Sequence, residues 1–518
     1  YNRYNLSSNL NSRIKKNIVL DLNLSAIVDE KNQPFQDAWW VIRNIWRQNP
    51  TETVFANDDP NYILHTQNEG ANPYPMTYKD ISGYKKLQNK LFRSSLSVTY
   101  NVPFIAGLRA KGLYSYDYDM SDYTTYRKQY NQYTYNAANE TYTPRTLQSP
   151  SRLRKDFINT PATLGQFSLN YDKRLDKHNI QLLALVEERM RSRNNFFAQR
   201  NLSIPLDQIY AGDNDDQQIA SANPDLIWKE VRRGYVGRIN YGFDNKYLIE
   251  LSGRYDGSSL NSPAKRWGFF PAILMGYRIS EEKFWKDAPA LDFINMLKFR
   301  GGYGITGDDD FLQYQYLSGY NYPAVGSVFG GTLVNGAAIM PIPNPYLTWM
   351  ESKMANFAID LEAWKGLFGA TFEIFRRERT GLAAKSIYSL PGVIGADIGQ
   401  ENLNSDERKG FEVELNHRNR VGEFNYTVKA IYSYSRGRNL FVQSVKAGNS
   451  YLNWLNNRND RYNDIWWGYS ADGVFQSYDE FFNSPVYYNK NTLPGDYKYL
   501  DWNEDGVINT LDTHPISY

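Results

Sequence analysis

The sequence predicts an all-β fold whose long antiparallel strands run up and down as a transmembrane β-barrel. Three observations predict it. Apolar and polar side chains alternate over strand-length stretches, connections are alternately short and long, and aromatics are abundant without any helix-length apolar run. Aromatic residues fill 15% of the 518 positions, with 42 Tyr, 26 Phe and 12 Trp, while mean hydropathy stays polar at −0.62. No apolar run reaches the roughly 18 residues of a transmembrane helix, a limit that does not apply to strands.

The alternation is clearest in "FNYTVKAIYSYS". There Phe424, Tyr426, Val428, Ala430, Tyr432 and Tyr434 share one face, and Asn425, Thr427, Lys429, Ser433 and Ser435 share the other, with Ile431 the exception. In "YLIELSGRY", Tyr247, Ile249, Leu251 and Tyr255 oppose Glu250, Ser252 and Arg254. In "LKFRGGYGIT", Leu297, Phe299, Tyr303 and Ile305 oppose Lys298, Arg300 and Thr306. One face of each strand suits lipid and the other a wet interior, so Glu250, Arg254, Lys298, Arg300, Glu373 and Lys429 are predicted to face the lumen.

Short links follow Ser12 ("SRIKKN"), Tyr100 ("NVPFIAG"), Tyr171 ("DKRLDKHN"), Gly242 ("FDNK"), Glu362 ("AWKG") and His417 ("RNRVGE"). Between them lie long polar stretches at 29–84, 119–162, 194–228, 307–351, 381–405 and 437 onward. Outer-membrane barrels place short turns at the periplasmic end and long loops outside. About fourteen strands of about ten residues fit this scheme, that length being what a tilted spanning strand needs. Tyr114, Tyr116, Tyr118, Tyr432 and Tyr434 are expected at strand ends, as interfacial girdles. The rival architecture is a soluble all-β sandwich or propeller, whose strands also alternate.

Charge excludes several functions. Lys and Arg (58) nearly balance Asp and Glu (56) at a net +2, without the basic excess that nucleic acid demands. The absence of cysteine removes disulfides and thiolate metal sites. His65, His178, His417 and His514 lie far apart, and no HExxH, GxSxG, P-loop or recognisable carboxylate pair exists, so the chain is not expected to be an enzyme.

Two sets of residues are candidates for binding. "DWNEDGVINTLD" matches a calcium loop, with Asp501, Asn503 and Asp505 at its first, third and fifth positions. Gly506 makes the turn, Val507 offers a carbonyl, and Asp512 closes the loop with a shorter reach than glutamate. Calcium is the expected ion. No helix pair flanks the loop, so a rigid clip is expected rather than a switch, and an Asx-rich turn without metal is the alternative. The second set is aromatic. "AWWVIRNIWRQ" spaces Trp39, Ile42 or Arg43, and Trp46 as an amphipathic helix expected to pack over the barrel mouth, with a ligand platform as the alternative. Trp454, Trp466 and Trp467 stand among Asn, Asp and Arg, a mixture that suits a sugar, a peptide or a protein partner.

Six segments, read together, resemble the SusC-type TonB-dependent transporters of the Bacteroidetes outer membrane. They are "QPFQDAWWVIRNIWRQNP", "RWGFFPAILMGYRISEEKFWK", "LKFRGGYGITGDD", the stretch Asn344–Leu382, "ENLNSDERKGFEVEL" and "LPGDYKYLDWNEDGVI". They occur in the family's order and span the chain essentially end to end. The resemblance implies a twenty-two-stranded barrel with an N-terminal plug. It also implies a SusD-like surface lipoprotein partner, energy from the TonB complex, contact with outer-membrane lipid, and import of a glycan, oligosaccharide or peptide. Plug and TonB box are expected in a region before Tyr1, which makes residues 1–518 part of the barrel of a chain nearly twice as long. Residues 437–518 are then a long extracellular loop region. The reading from another class is a soluble, calcium-clipped all-β module that binds or adheres to carbohydrate.

Overall fold

A computed structural model describes residues 1–66, 72–204, 206–212, 219–387, 390–487 and 492–517. Among them run fourteen strands of twelve residues or more. They are β1 (Asn2–Lys15), β2 (Ile18–Pro34), β3 (Gly83–Asn101), β4 (Leu108–Arg127), β5 (Ser151–Leu175), β6 (His178–Leu202) and β7 (Trp228–Phe243). After these come β8 (Tyr247–Ser258), β9 (Trp267–Arg278), β10 (Ile294–Asp308), β11 (Met350–Ala363), β12 (Phe368–Lys385), β13 (Gln400–Val421) and β14 (Phe424–Phe441). Short and long links alternate along the chain as expected, except around β9. There the link 259–266 is brief, and 279–293 carries the helical turn Lys283–Lys286.

The strands exceed the expected ten residues, reaching 25 in β5 and β6. The reason lies on β14, where the apolar face ends at Tyr434 and the same face continues with Arg436 and Arg438 before the strand stops at Phe441. Strand pairing outlasts the apolar stretch. Tyr114, Tyr116 and Tyr118 likewise lie within β4 and not at its end. These tyrosines lie inside their strands, not where a strand terminates.

The chain divides into two compact units, Tyr1–Leu169 with Leu185–Arg233, and Asn170–Ala184 with Gly234–Tyr518. In the first, β1 to β4 pair antiparallel in chain order. Leu10, Leu22, Leu96 and Tyr114 form one cross-strand row, and Asn9, Asn23, Ser95 and Ser115 form the row beside it. Asn23 donates to Ser95 Oγ at 3.2 Å, and Ser97 donates to Asp21 at 3.2 Å, so the polar face knits itself together. Beyond the strands, the long link after β2 docks on a hairpin of Tyr130–Asn136 and Thr141–Leu147. Tyr133 N–H donates to the Ile63 carbonyl at 2.7 Å, His65 N–H donates to the Tyr133 carbonyl at 2.9 Å, and Tyr62 stacks on Tyr142 at 3.7 Å. These loops are folded, because aromatic and backbone contacts offset the entropy of ordering them.

In the second unit, β8 to β14 also pair antiparallel in chain order. One row across seven strands reads Tyr247, Tyr277, Phe299, Ile359, Phe372, Val413 and Tyr432, all apolar or aromatic. The adjacent row, on the opposite face, reads Leu248, Gly276, Arg300, Ala358, Glu373, Glu412 and Ser433. A sheet this regular in its two faces cannot slip by one residue without exchanging them.

Candidate functional site

The polar face of the second unit carries a charge network centred on Arg300 of β10. Its Nε lies 3.1 Å from Asp360 on β11, and its Nη2 lies 2.8 Å from Glu373 on β12. Thr371 donates to Asp360 at 3.1 Å, and the Asn356 amide donates to Glu373 at 2.8 Å. Register brings these groups together, since Asp360 sits opposite Thr371 and Ala358 opposite Glu373. Lys429 pairs with Glu414 at 2.7 Å, and Arg254 with Asp256 at 2.9 Å. The six residues predicted for the lumen thus all fall on polar rows. A cavity of about 340 Å³ opens beside the network, lined in part by Asn240, Glu250, Gly276, Lys298 and Arg300. Asp360 and Asn356, which complete the network, escaped the sequence reading although "MANFAIDLEA" alternates like the other strands.

In the first unit the expected helix forms as α1 (Ala38–Arg47), but its burial is inverted. Trp39 and Trp46 are 58% and 73% exposed, Ile42 and Ile45 are exposed too, and the buried residue is Asn44. The Asn44 amide donates to the Trp40 carbonyl at 2.8 Å and lies 3.4 Å from Met76 Sδ. The helix is therefore held by its polar side. Trp39 and Trp46 meet edge to face at 6.2 Å and stay exposed, so the tryptophan stripe of the helix is not the side buried within this unit. A helix's apolar face is obvious from spacing, whereas the face it buries depends on what surrounds it.

The other candidate tryptophans, Trp454, Trp466 and Trp467, lie in the second unit, beyond β14. Trp454 meets Trp467 edge to face at 5.0 Å, and the Arg461 guanidinium lies 4.9 Å from the Trp467 ring while donating to the Trp454 and Leu455 carbonyls. Trp466 is 70% exposed. This segment is tied to β14 where Arg436 grips Asp464 at 2.9 Å, a bond that holds the Asp464 carboxyl below its usual range.

The calcium-like loop folds onto the same segment. Trp467 pairs with Pro515 and Gly468 with His514, Leu500 N–H donates to the Ser470 carbonyl at 2.9 Å, and the Tyr451 hydroxyl donates to the Thr513 carbonyl at 2.6 Å. Within the loop, Asp501 accepts the Asp505 and Gly506 N–H groups at 3.2 and 2.7 Å, and Asp505 accepts the Val507 N–H at 2.9 Å. Asn503 Oδ1 accepts the Asp505 N–H at 3.1 Å. Gly506 turns at φ +83°, where a side chain would be strained. Asp512 is fully buried and accepts from Trp502 at 2.8 Å and Asn509 at 2.7 Å. The loop's own backbone therefore occupies its carboxylates, and among the described residues no three His, Cys, Asp or Glu gather as a metal site. An ion would use the lone pairs left on Asp501, Asn503 and Asp505 and the Val507 carbonyl, because each carboxylate has more acceptor sites than its N–H partners fill.

Residues 38–514 match the family described as TonB dependent receptor-like, β-barrel. The chain belongs to this family. TonB-dependent receptor P3 of Formosa agariphila is 23% identical over 91% of this chain and 46% of its own length. The TonB-dependent receptor SusC of Bacteroides thetaiotaomicron is 23% identical over 92% of this chain and 45% of its own length. A structure of the RagAB peptide importer superposes with a TM-score of 0.74 at 15% identity, covering 99% of this chain and 53% of that one, which establishes a shared fold. The chain spans about half the length of the curated relatives it matches. This TonB-dependent receptor barrel lies in the bacterial outer membrane, and its relatives are named as receptors, not enzymes. Its apolar rows accordingly face lipid and its polar rows face inward.

Proposed function

We propose that this chain is the barrel wall of a SusC-type importer that carries a glycan, oligosaccharide or peptide across the outer membrane. A SusD-like lipoprotein closes it from outside, and the TonB complex drives it through a region N-terminal to these residues. The observation that carries this reading is the register of the second unit, in which an apolar row spanning seven strands backs directly on the Arg300, Asp360 and Glu373 network. Such a wall meets lipid on one side and lines an aqueous path on the other. The likeness to the RagAB peptide importer supports a peptide cargo, and the resemblance of the six sequence segments to SusC-type transporters supports a glycan or oligosaccharide. Uptake of labelled oligosaccharides and peptides by cells with and without the protein decides between them. Loss of neither on deletion would overturn the importer reading.

Trp39 and Trp46 on α1, and Trp454, Trp466 and Trp467 beyond β14, are the proposed contacts for the lipoprotein or cargo. Tryptophans dominate binding energies where a partner desolvates them, and four of these five are exposed while Trp467 is half-buried. Replacing Trp39 and Trp46 together by alanine is expected to weaken capture of the surface lipoprotein about 10-fold or more. Unchanged capture would remove α1 from the interface.

Residues 501–512 are proposed as a clip that shapes the tryptophan segment, with calcium as its ion. Calorimetric titration of calcium is expected to give saturable heat that Asp505→Ala abolishes. No heat from the parent protein, with Asp505→Ala behaving identically, would eliminate the ion and leave a clip of hydrogen bonds alone.

A further inference from the structure

We propose that the lipid-facing wall of the second unit holds one phospholipid acyl chain in a preformed crevice floored by Gly301. The apolar row next to the one described above reads Ile249, Met275, Gly301, Phe357, Ile374, Phe411 and Tyr434. Six of its seven positions carry large apolar side chains, and Gly301 carries none. Around that gap lies a crevice of about 500 Å³. Tyr247 stacked on Tyr277 at 5.3 Å forms one wall, Phe299 stacked on Phe357 at 6.4 Å forms the other, and Ile249 and Met275 close the side away from the tyrosines.

The glycine is not required by its own backbone. Gly301 lies inside a paired strand without a positive φ, and a Cβ built there would meet nothing nearer than 3.5 Å. Glycine within a strand weakens it and marks a place where something else approaches closely. Among the described residues no side chain fills the space, and the surface belongs to an outer-membrane barrel, so the occupant comes from the bilayer.

The polar end of the crevice indicates how that occupant is oriented. Tyr247 donates to Glu282 at 2.7 Å, Tyr277 donates to Glu282 at 3.3 Å, and the Tyr241 hydroxyl meets His178 Nδ1 at 2.8 Å. Lys246 Nζ completes the group, 3.3 Å from Glu282. These tips gather where β7 turns into β8, at the short-turn end of the strands, which is the periplasmic interface. An acyl chain entering there has its headgroup beside the tyrosine hydroxyls and its methylenes along Gly301, as expected for a phospholipid of the inner leaflet.

The test is native mass spectrometry of the purified protein equilibrated with phosphatidylethanolamine. At a collision energy that strips loosely held lipid, the parent protein is expected to retain one more phospholipid than Gly301→Leu, whose side chain fills the crevice. Gly301→Ala, adding only a methyl group, should retain it partly. Phosphatidylethanolamine should also raise the melting temperature of the parent more than that of Gly301→Leu, provided both still migrate faster before boiling than after. Equal lipid retention by the parent and a folded leucine variant would overturn the proposal. If Gly301→Leu fails to fold, undiminished retention by Gly301→Ala with no change in lipid-dependent melting overturns it instead.

Discussion

Phe372→Arg is expected to cost up to about 2–4 kcal/mol and to lower the yield of assembled barrel, the range for a cation placed on the lipid face of a membrane barrel. Phe372 sits inside the seven-strand apolar row, between Ile359 and Val413. Thr371, its neighbour in sequence, points to the polar face and donates to Asp360. Thr371→Arg is accordingly expected to assemble normally, because an added cation there stands beside Asp360 and Glu414 on the polar rows. The measurement is the fraction of outer-membrane protein whose gel mobility changes on boiling, followed by urea unfolding in liposomes. Equal losses for the two variants would refute the assignment of faces on which the transport reading rests. The adjacent pair isolates orientation from every other property of the strand.

Asp512→Ala is expected to loosen the loop region after β14 while leaving the barrel strands intact. Asp512 is fully buried and takes N–H groups from Trp502 and Asn503 on one oxygen and from Asn509 on the other. Removing it leaves three partly buried donors without their acceptor, a local cost on the order of 1–3 kcal/mol. Asp512→Asn keeps the shape but turns an amide donor toward one of those N–H groups, so it should recover only part of the loss. Limited proteolysis reads the effect, with new cuts expected within 442–517 and none in β8 to β14. Because Tyr451, Ser470 and Trp467 are all bonded to the segment that follows Asp512, tryptophan emission should also shift to the red. A digestion pattern unchanged from the parent protein would show that the carboxylate does not hold the clip.

The two faces of each strand were legible because alternation is a local, two-residue property. Phe424 to Tyr434 and Tyr247 to Tyr255 announce it without reference to any other segment. The self-bonded turn at 501–507 was legible for the same reason, since Asx side chains reach backbone two to five residues away. The inverted α1 was not. Spacing identifies Trp39, Ile42 and Trp46 as one stripe, but a buried Asn44 needs Met76, thirty-two residues on, to make sense. Strand length also misled, because pairing continued past the apolar stretch into rows such as Arg376, Lys409 and Arg436.

The sequence by itself determined that this protein is an all-β wall with one greasy and one wet face, joined by alternating short and long links. Those properties follow from side-chain periodicity and turn chemistry, which act over a few residues. Only the tertiary structure decided that Arg300 meets Asp360 and Glu373, that the 501–512 loop seats on the Trp454 to Trp467 segment, and that Gly301 leaves a gap in an apolar row. Each depends on which residue stands opposite which across separate strands. Register is set by hydrogen bonds between segments distant in sequence, and no periodicity within one strand encodes its partner's offset.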